Sequence, residues 1–261
     1  MTLPWGELAA LGAAAVWAVR TVVFAKAGRD VPALALNLVK GLLALPLIGV
    51  AIVVLGANWG NPSVAALALF GVSGALGIGV GDTCYFAALK RIGAARTALL
   101  FMASAPITVV LSVVALGETI NAVALLGIAL TIAGILWVIA ERAPTPEAHL
   151  DRKPIDHKPI AIGVAFGLAA ASLQAVGLVL NRKAFLLADD TSEVWATALR
   201  LASGCAALAI ALPLLNGRLL NGKPLAGARR WPWKLIVIGM LLGTFIGLLL
   251  QQASVKHAAN T

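Results

Sequence analysis

Eight stretches of predominantly apolar residues dominate this sequence, at 7–27, 32–55, 64–88, 97–116, 121–140, 159–181, 195–215 and 233–253. Each is close to the roughly 20 residues that carry a helix across a hydrocarbon core about 30 Å thick. Lipid offers no partner for a peptide N–H or C=O. A spanning segment must therefore satisfy its own backbone, which predicts helices. Barrel strands would read as alternating runs of about ten residues, and the sequence has none. Only 12% of the residues are charged, against about 25% in a soluble domain, while 61% are hydrophobic. With a mean hydropathy of +0.95, the chain lacks the polar surface that water would require. The predicted fold class is an all-α, polytopic membrane protein.

The connections organise the spans. Gly56–Ser63 is a cluster of turn formers, and Gly117-Glu118-Thr119 is short enough to force an antiparallel hairpin. Glu118 suits the start of the following helix, where the macrodipole favours negative charge. The longest polar stretch, Glu141–Pro159, carries four prolines and two histidines and reads as a linker between two halves. The net charge of +9 comes from 20 Lys and Arg against 11 Asp and Glu. Fourteen of those cations fall in the loops on one side of the predicted membrane and three on the other. The positive-inside rule then puts the linker in the cytoplasm and the N-terminus outside. Basic residues placed between apolar runs are topology signals, so nucleic acid is not an expected partner; the lipid bilayer is.

The halves resemble each other. An offset of 166 residues aligns Gly81 with Gly247, Tyr85 with Gln251 and Lys90 with Lys256. Gly12 aligns with Gly167 and Lys40 with Arg200 at nearby offsets. The expected organisation is a first five-span repeat at 1–140, a linker at 141–158, and a second repeat at 159–261. Five spans separate equivalent helices, and an odd number inverts the second repeat. Residue 261 corresponds to Ala95 of the first repeat, so the reading expects the second repeat to lack its last two spans.

Ionisable groups at membrane depth cost about 2.5–3.5 kcal/mol on insertion scales, so each needs a reason. Asp82 follows Gly77, Gly79 and Gly81, a flat face for close approach, and shares a helical face with Tyr85. It reads either as a protonatable or cation-binding group lining a cavity, or as a residue that pairs with Lys40 or Arg20 or reaches the interface. Lys40 and Arg200 hold equivalent places and could bind an anionic substrate group or snorkel to headgroups. Arg20, one turn from Trp17, has the same two readings. Gln174 with Asn181, and Thr244 with Gln251 and the adjacent Gln252, form polar stripes that suit a polar substrate or interhelical hydrogen bonds. Ser104, Pro106 and Thr108 punctuate the fourth span, where proline removes a backbone bond and favours a kink beside a cavity.

The segment Gly81–Val138, GDTCYFAALKRIGAARTALLFMASAPITVVLSVVALGETINAVALLGIALTIAGILWV, resembles the EamA-type transporters of the drug/metabolite transporter superfamily. It shares their aromatic-Ala-Leu turn, small-residue-and-Pro span, Leu-Gly-Glu turn and Gly-containing last span. The Trp17 region and the basic residue of the second span also fit, and the resemblance extends over essentially the whole chain. It implies ten helices in two inverted five-helix repeats and the movement of amino acids, sugars, nucleotide-linked metabolites or drugs.

The sequence therefore points to a secondary transporter of a small polar metabolite or drug in the inner or plasma membrane, working by alternating access. The expected substrate contacts are Trp17, Asp82, Tyr85, Ser104, Gln174, Thr244 and Gln251, with Arg20, Lys40 and Arg200 as charge partners and proton or ion coupling as an option. The alternative is a non-transporting membrane protein, a lipid-processing enzyme or a scaffold. No Walker A, HExxH or GxSxG motif occurs, Cys84 and Cys205 lie within apolar runs, and the three histidines lack metal-ligand spacing. Neither catalysis, a cofactor nor a metal is expected.

Overall fold

The computed structural model describes residues 5–28, 31–117, 120, 122–140, 157–216 and 231–257. Most of the predicted linker, and Glu118, lie outside these residues. The elements are α1 (Trp5–Ala27), α2 (Ala33–Val54), α3 (Val64–Gly74), α4 (Asp82–Met102), α5 (Ser104–Leu116), α6 (Ala122–Ala140), α7 (His157–Leu186), α8 (Glu193–Asn216), α9 (Trp233–Gly239) and α10 (Gly247–His257). Two seven-residue π-helical segments, Ala75–Gly81 and Met240–Ile246, join α3 to α4 and α9 to α10. No strand occurs among the described residues.

Among the described residues, six helical stretches are long and apolar enough to cross a membrane, against the eight expected. The difference lies in α6, described as apolar over Leu125–Gly134, and in Val64–Leu116, which counts as one stretch of 53 residues. A straight helix of that length would run about 80 Å, more than twice the hydrocarbon thickness. The chain instead turns back at Gly93, whose φ of 80° and ψ of 175° break α4. The rings of Tyr85 and Phe101 lie 5.0 Å apart, whereas an unbroken helix would separate them by about 24 Å. The two arms fall on the stretches read from sequence as separate spans. A second break at Ala103 precedes Pro106, whose missing N–H leaves the Met102 carbonyl without its helical partner. This is the kink expected around Ser104 and Pro106.

Apolar side chains face outward. Val53, Val64 and Val114 are about four-fifths exposed, which suits lipid. Polar groups are enclosed instead. Arg20, Lys40 and Arg200 are 4%, 1% and 1% exposed, which corrects the snorkelling reading. Snorkelling needs a side chain that reaches the helix end along a lipid-facing surface. These three point at neighbouring helices.

The packing is reciprocal. α1 lies along α9, the second π-segment and α10; α7 lies along α3, the first π-segment and α4; α2 packs on α8. Glycine permits close crossings: a Cβ on Gly74 would sit 2.5 Å from the Cα of Arg200 on α8, and one on Gly177 3.3 Å from the Cα of Gly77. Of the glycines read as one face, Gly77 and Gly81 meet α7, whereas Gly79 meets Gly204 and Ala207 of α8. Because a π-turn shifts the hydrogen-bond register, it frees carbonyls from the α-ladder. Asn37 on α2 answers two of them, its Nδ2 donating to Ile78 O at 2.8 Å and Gly79 O at 2.9 Å.

Candidate functional site

A cavity of about 280 Å³ opens between α1, both arms of α4, α5 and α6. From α1 come Trp17, Arg20 and Thr21, which the i, i+3, i+4 spacing places on one face. Two glycines of the facing span bring α1 close enough. A Cβ on Gly243 would overlap the Arg20 side chain, and one on Gly247 would overlap the Trp17 indole. Trp17 is further held by its Nε1, which donates to Gly243 O at 3.3 Å inside the second π-segment.

The aromatic walls are mutually packed. Phe101 meets Trp17 at 6.4 Å and Tyr85 at 5.0 Å, both edge to face. The Arg20 guanidinium carbon sits 5.0 Å from the Trp17 ring centroid and 5.6 Å from that of Tyr85. Such cation–π contacts are worth about 0.5–1 kcal/mol at exposed sites and 2 or more when desolvated. They hold the guanidinium in place but supply no anion. Arg20 makes no ion pair with any described residue, and its buried Nε has no hydrogen-bond partner.

The hydroxyls can be assigned. Thr21 Oγ1 donates its single proton to Trp17 O at 2.8 Å. At the 2.6 Å contact between Thr21 Oγ1 and Tyr85 Oη, the tyrosine must therefore be the donor. Ser104 lines the opposite part of the cavity, at the kink before Pro106.

Of the expected contacts, the structure brings Trp17, Tyr85 and Ser104 together on this cavity, with Arg20 beside them. The rest lie elsewhere. The Asp82 carboxylate is hydrogen-bonded and ion-paired to Lys40, both buried, and does not line the cavity. Lys40 Nζ also lies 5.3 Å from the Phe86 ring centroid. Arg200 Nη1 donates to Gln252 Oε1 at 2.8 Å, an oxygen that also accepts from Asn181 Nδ2 at 2.8 Å. Arg200 Nε and Nη2 have no hydrogen-bond partner. Gln174, Thr244 and Gln251 are buried between helices away from the cavity; the Thr244 hydroxyl and Gln251 Oε1 lack hydrogen-bond partners.

Residues 4–140 match the model of the EamA-like transporter family. The chain belongs to this family, part of the drug/metabolite transporter superfamily. It is a multi-pass membrane protein of the drug/metabolite transporter type. The match covers the first half, short of the whole-chain resemblance read from the sequence. No curated protein matches the chain. All the residues lining the cavity of this EamA-family chain lie within the matched segment.

Sequence reasoning passed over Asn37, Thr21 and Phe101. Asn37 carried a usable signal, since an amide within an apolar run is costly unless paired. Thr21 and Phe101 carried none, because a threonine and a phenylalanine are unremarked in any membrane helix.

Proposed function

We propose that the chain is a secondary transporter that moves a small polar metabolite or drug across the cell membrane by alternating access. The observation that carries this reading is the cavity itself: an unpaired buried cation, aromatic walls and a hydroxyl, built on helices long enough to span. Such a chamber suits a solute that must leave water at one face and regain it at the other. Trp17, Tyr85 and Ser104 are its contacts in this conformation. Gln174, Thr244 and Gln251 are assigned to the opposing one.

Two inverted repeats, 1–140 and 159–261, joined by a cytoplasmic linker at 141–158, form the moving parts of the proposal. Several relationships support it. The π-segments begin at Ala75 and Met240, close to the 166-residue offset that aligns Gly81 with Gly247. Lys40 lies against Phe86 and Arg200 against Gln252, pairs that align at nearly that offset. Helix α1 packs on the second π-containing span as α7 packs on the first. Rocking one repeat against the other would open the chamber to either face.

The test is accessibility together with flux. In a background lacking Cys84 and Cys205, Ser104→Cys is labelled in sealed vesicles by a membrane-impermeant maleimide from either side. Labelling from both faces, with one side suppressed by a transported solute, is the expected result. Labelling from one face under every condition, with no solute counterflow, would remove the proposal. Asp82→Asn separately tests coupling: unchanged gradient-driven accumulation would discard Asp82 as the coupling group.

A further inference from the structure

We infer that the cavity is built for an organic monoanion with a flat apolar body and no ammonium group, its carboxylate held by Arg20. This rests on the transport reading above and names the substrate class of that same site. A buried guanidinium normally sits beside a carboxylate, because an uncompensated charge taken out of water is costly. Arg20 is 4% exposed, yet no described acidic side chain pairs with it, and its Nε lacks any acceptor. Asp82, the nearby candidate, is taken by Lys40. The Trp17 and Tyr85 rings hold the guanidinium while leaving its donors unused. A planar fork of free N–H groups matches a carboxylate.

The remaining walls define the rest of the ligand. Phe101, Met102, Ala98 and Ala105 offer an apolar slot, with hydroxyls at Ser104 and Thr131. Thr131 is engaged, its Oγ1 donating to Gly127 O at 2.8 Å. Among the described residues, no Asp or Glu lines the cavity. An α-ammonium group would therefore enter without a counter-charge and face Arg20, a like charge. At 280 Å³ the chamber is at the small end of ligand pockets, typically about 300–1,000 Å³. An aryl or short alkyl carboxylate fits these terms; an amino acid does not.

Three probes isolate the claim: 3-phenylpropionate, phenylalanine, which adds only the ammonium, and 3-phenylpropan-1-ol, which replaces the carboxylate with a neutral hydroxymethyl group. Binding to the purified full chain in detergent is measured by calorimetry. The expected result is that 3-phenylpropionate binds at least tenfold more tightly than either analogue. Arg20→Gln should reduce its affinity to that of the alcohol, and Arg20→Lys should retain part of the preference. Equal binding of acid and alcohol, tighter binding of phenylalanine, or an unchanged affinity in a folded Arg20→Gln variant would overturn the inference. The wild-type comparison decides even where the variant does not fold. Flux in proteoliposomes separates the two readings. Binding of 3-phenylpropionate at Arg20 without transport sinks the transporter and keeps the anion site. Counterflow of the alcohol or phenylalanine with no uptake of the acid does the reverse.

Discussion

The indole Nε1 of Trp17 donates to the carbonyl of Gly243, 3.3 Å away, and so ties the cavity wall to the π-helical segment of a span more than 220 residues further along the chain. A π-turn frees carbonyls, and here a side chain from α1 answers one of them. In the first π-segment Asn37 does the same for Ile78 and Gly79. Trp17→Phe keeps a ring against Phe101 but strands the Gly243 carbonyl. A lost partner of this kind costs about 1–3 kcal/mol. A variant that unfolds in detergent at the wild-type temperature would show that the bond contributes nothing.

Asn37→Ala leaves two carbonyls of the first π-segment without their amide. Gly79 O keeps the Thr83 hydroxyl, which donates to it at 2.7 Å, so Ile78 O is the stranded group. The expected loss is about 1–3 kcal/mol. Backbone exchange should speed up locally over Ala75–Gly81, which hydrogen–deuterium exchange with mass detection resolves. Uniform acceleration along the chain would point to general unfolding instead.

Gly243→Ala puts a methyl group where the Arg20 side chain runs. Overpacking typically costs about 1–3 kcal/mol. Here it also displaces the guanidinium from between Trp17 and Tyr85. Ligand affinity should fall at least tenfold while the purified protein remains monodisperse. Unaltered affinity would mean that Arg20 is not held by this close approach.

Lys40→Met leaves the Asp82 carboxylate buried and alone, at an expected cost of roughly 3–5 kcal/mol. Adding Asp82→Leu removes the stranded charge and should recover most of that loss. The four proteins of this double-mutant cycle, compared by denaturation in mild detergent, give the coupling energy. Additive losses would contradict a direct pair.

Gly93→Ala isolates backbone strain. Nothing lies within 4 Å of a Cβ at Gly93, so no clash contributes, but its φ of 80° disfavours any side chain. The expected cost is about 1–2 kcal/mol. Stability equal to wild type would indicate that the arms of Val64–Leu116 join through a different conformation.

The helical membrane class was legible because it depends only on run length and on the absence of hydrogen-bonding partners in lipid. The hairpin around Gly93 could also be read: two apolar runs flanking Lys90, Arg91 and Arg96 leave no room for a continuous span. The kink at Ala103 followed from Pro106, and the pairing of Asp82 with Lys40 was one of two readings open from their charges alone. The π-segments were not legible. A register shift of one residue leaves no mark in an apolar stretch, and Ala75–Gly81 and Met240–Ile246 read as ordinary helix.

The cavity divides in the same way. Trp17, Tyr85 and Ser104 drew attention as polar or aromatic groups in apolar surroundings, and they meet at one chamber. Gln174, Thr244 and Gln251 drew the same attention and do not. Hydropathy and spacing report which face of a helix a residue occupies, but not which helix that face meets. By itself the sequence determined that this chain lies in lipid as helices and that its buried charges need partners. Only the tertiary structure decided which partners: Lys40 takes Asp82, Arg200 shares Gln252 with Asn181, and Arg20 is left with two aromatic rings. The physical reason is that hydropathy acts on one helix at a time. The neutralisation of a buried charge depends on the few ångströms between helices that are far apart in the chain.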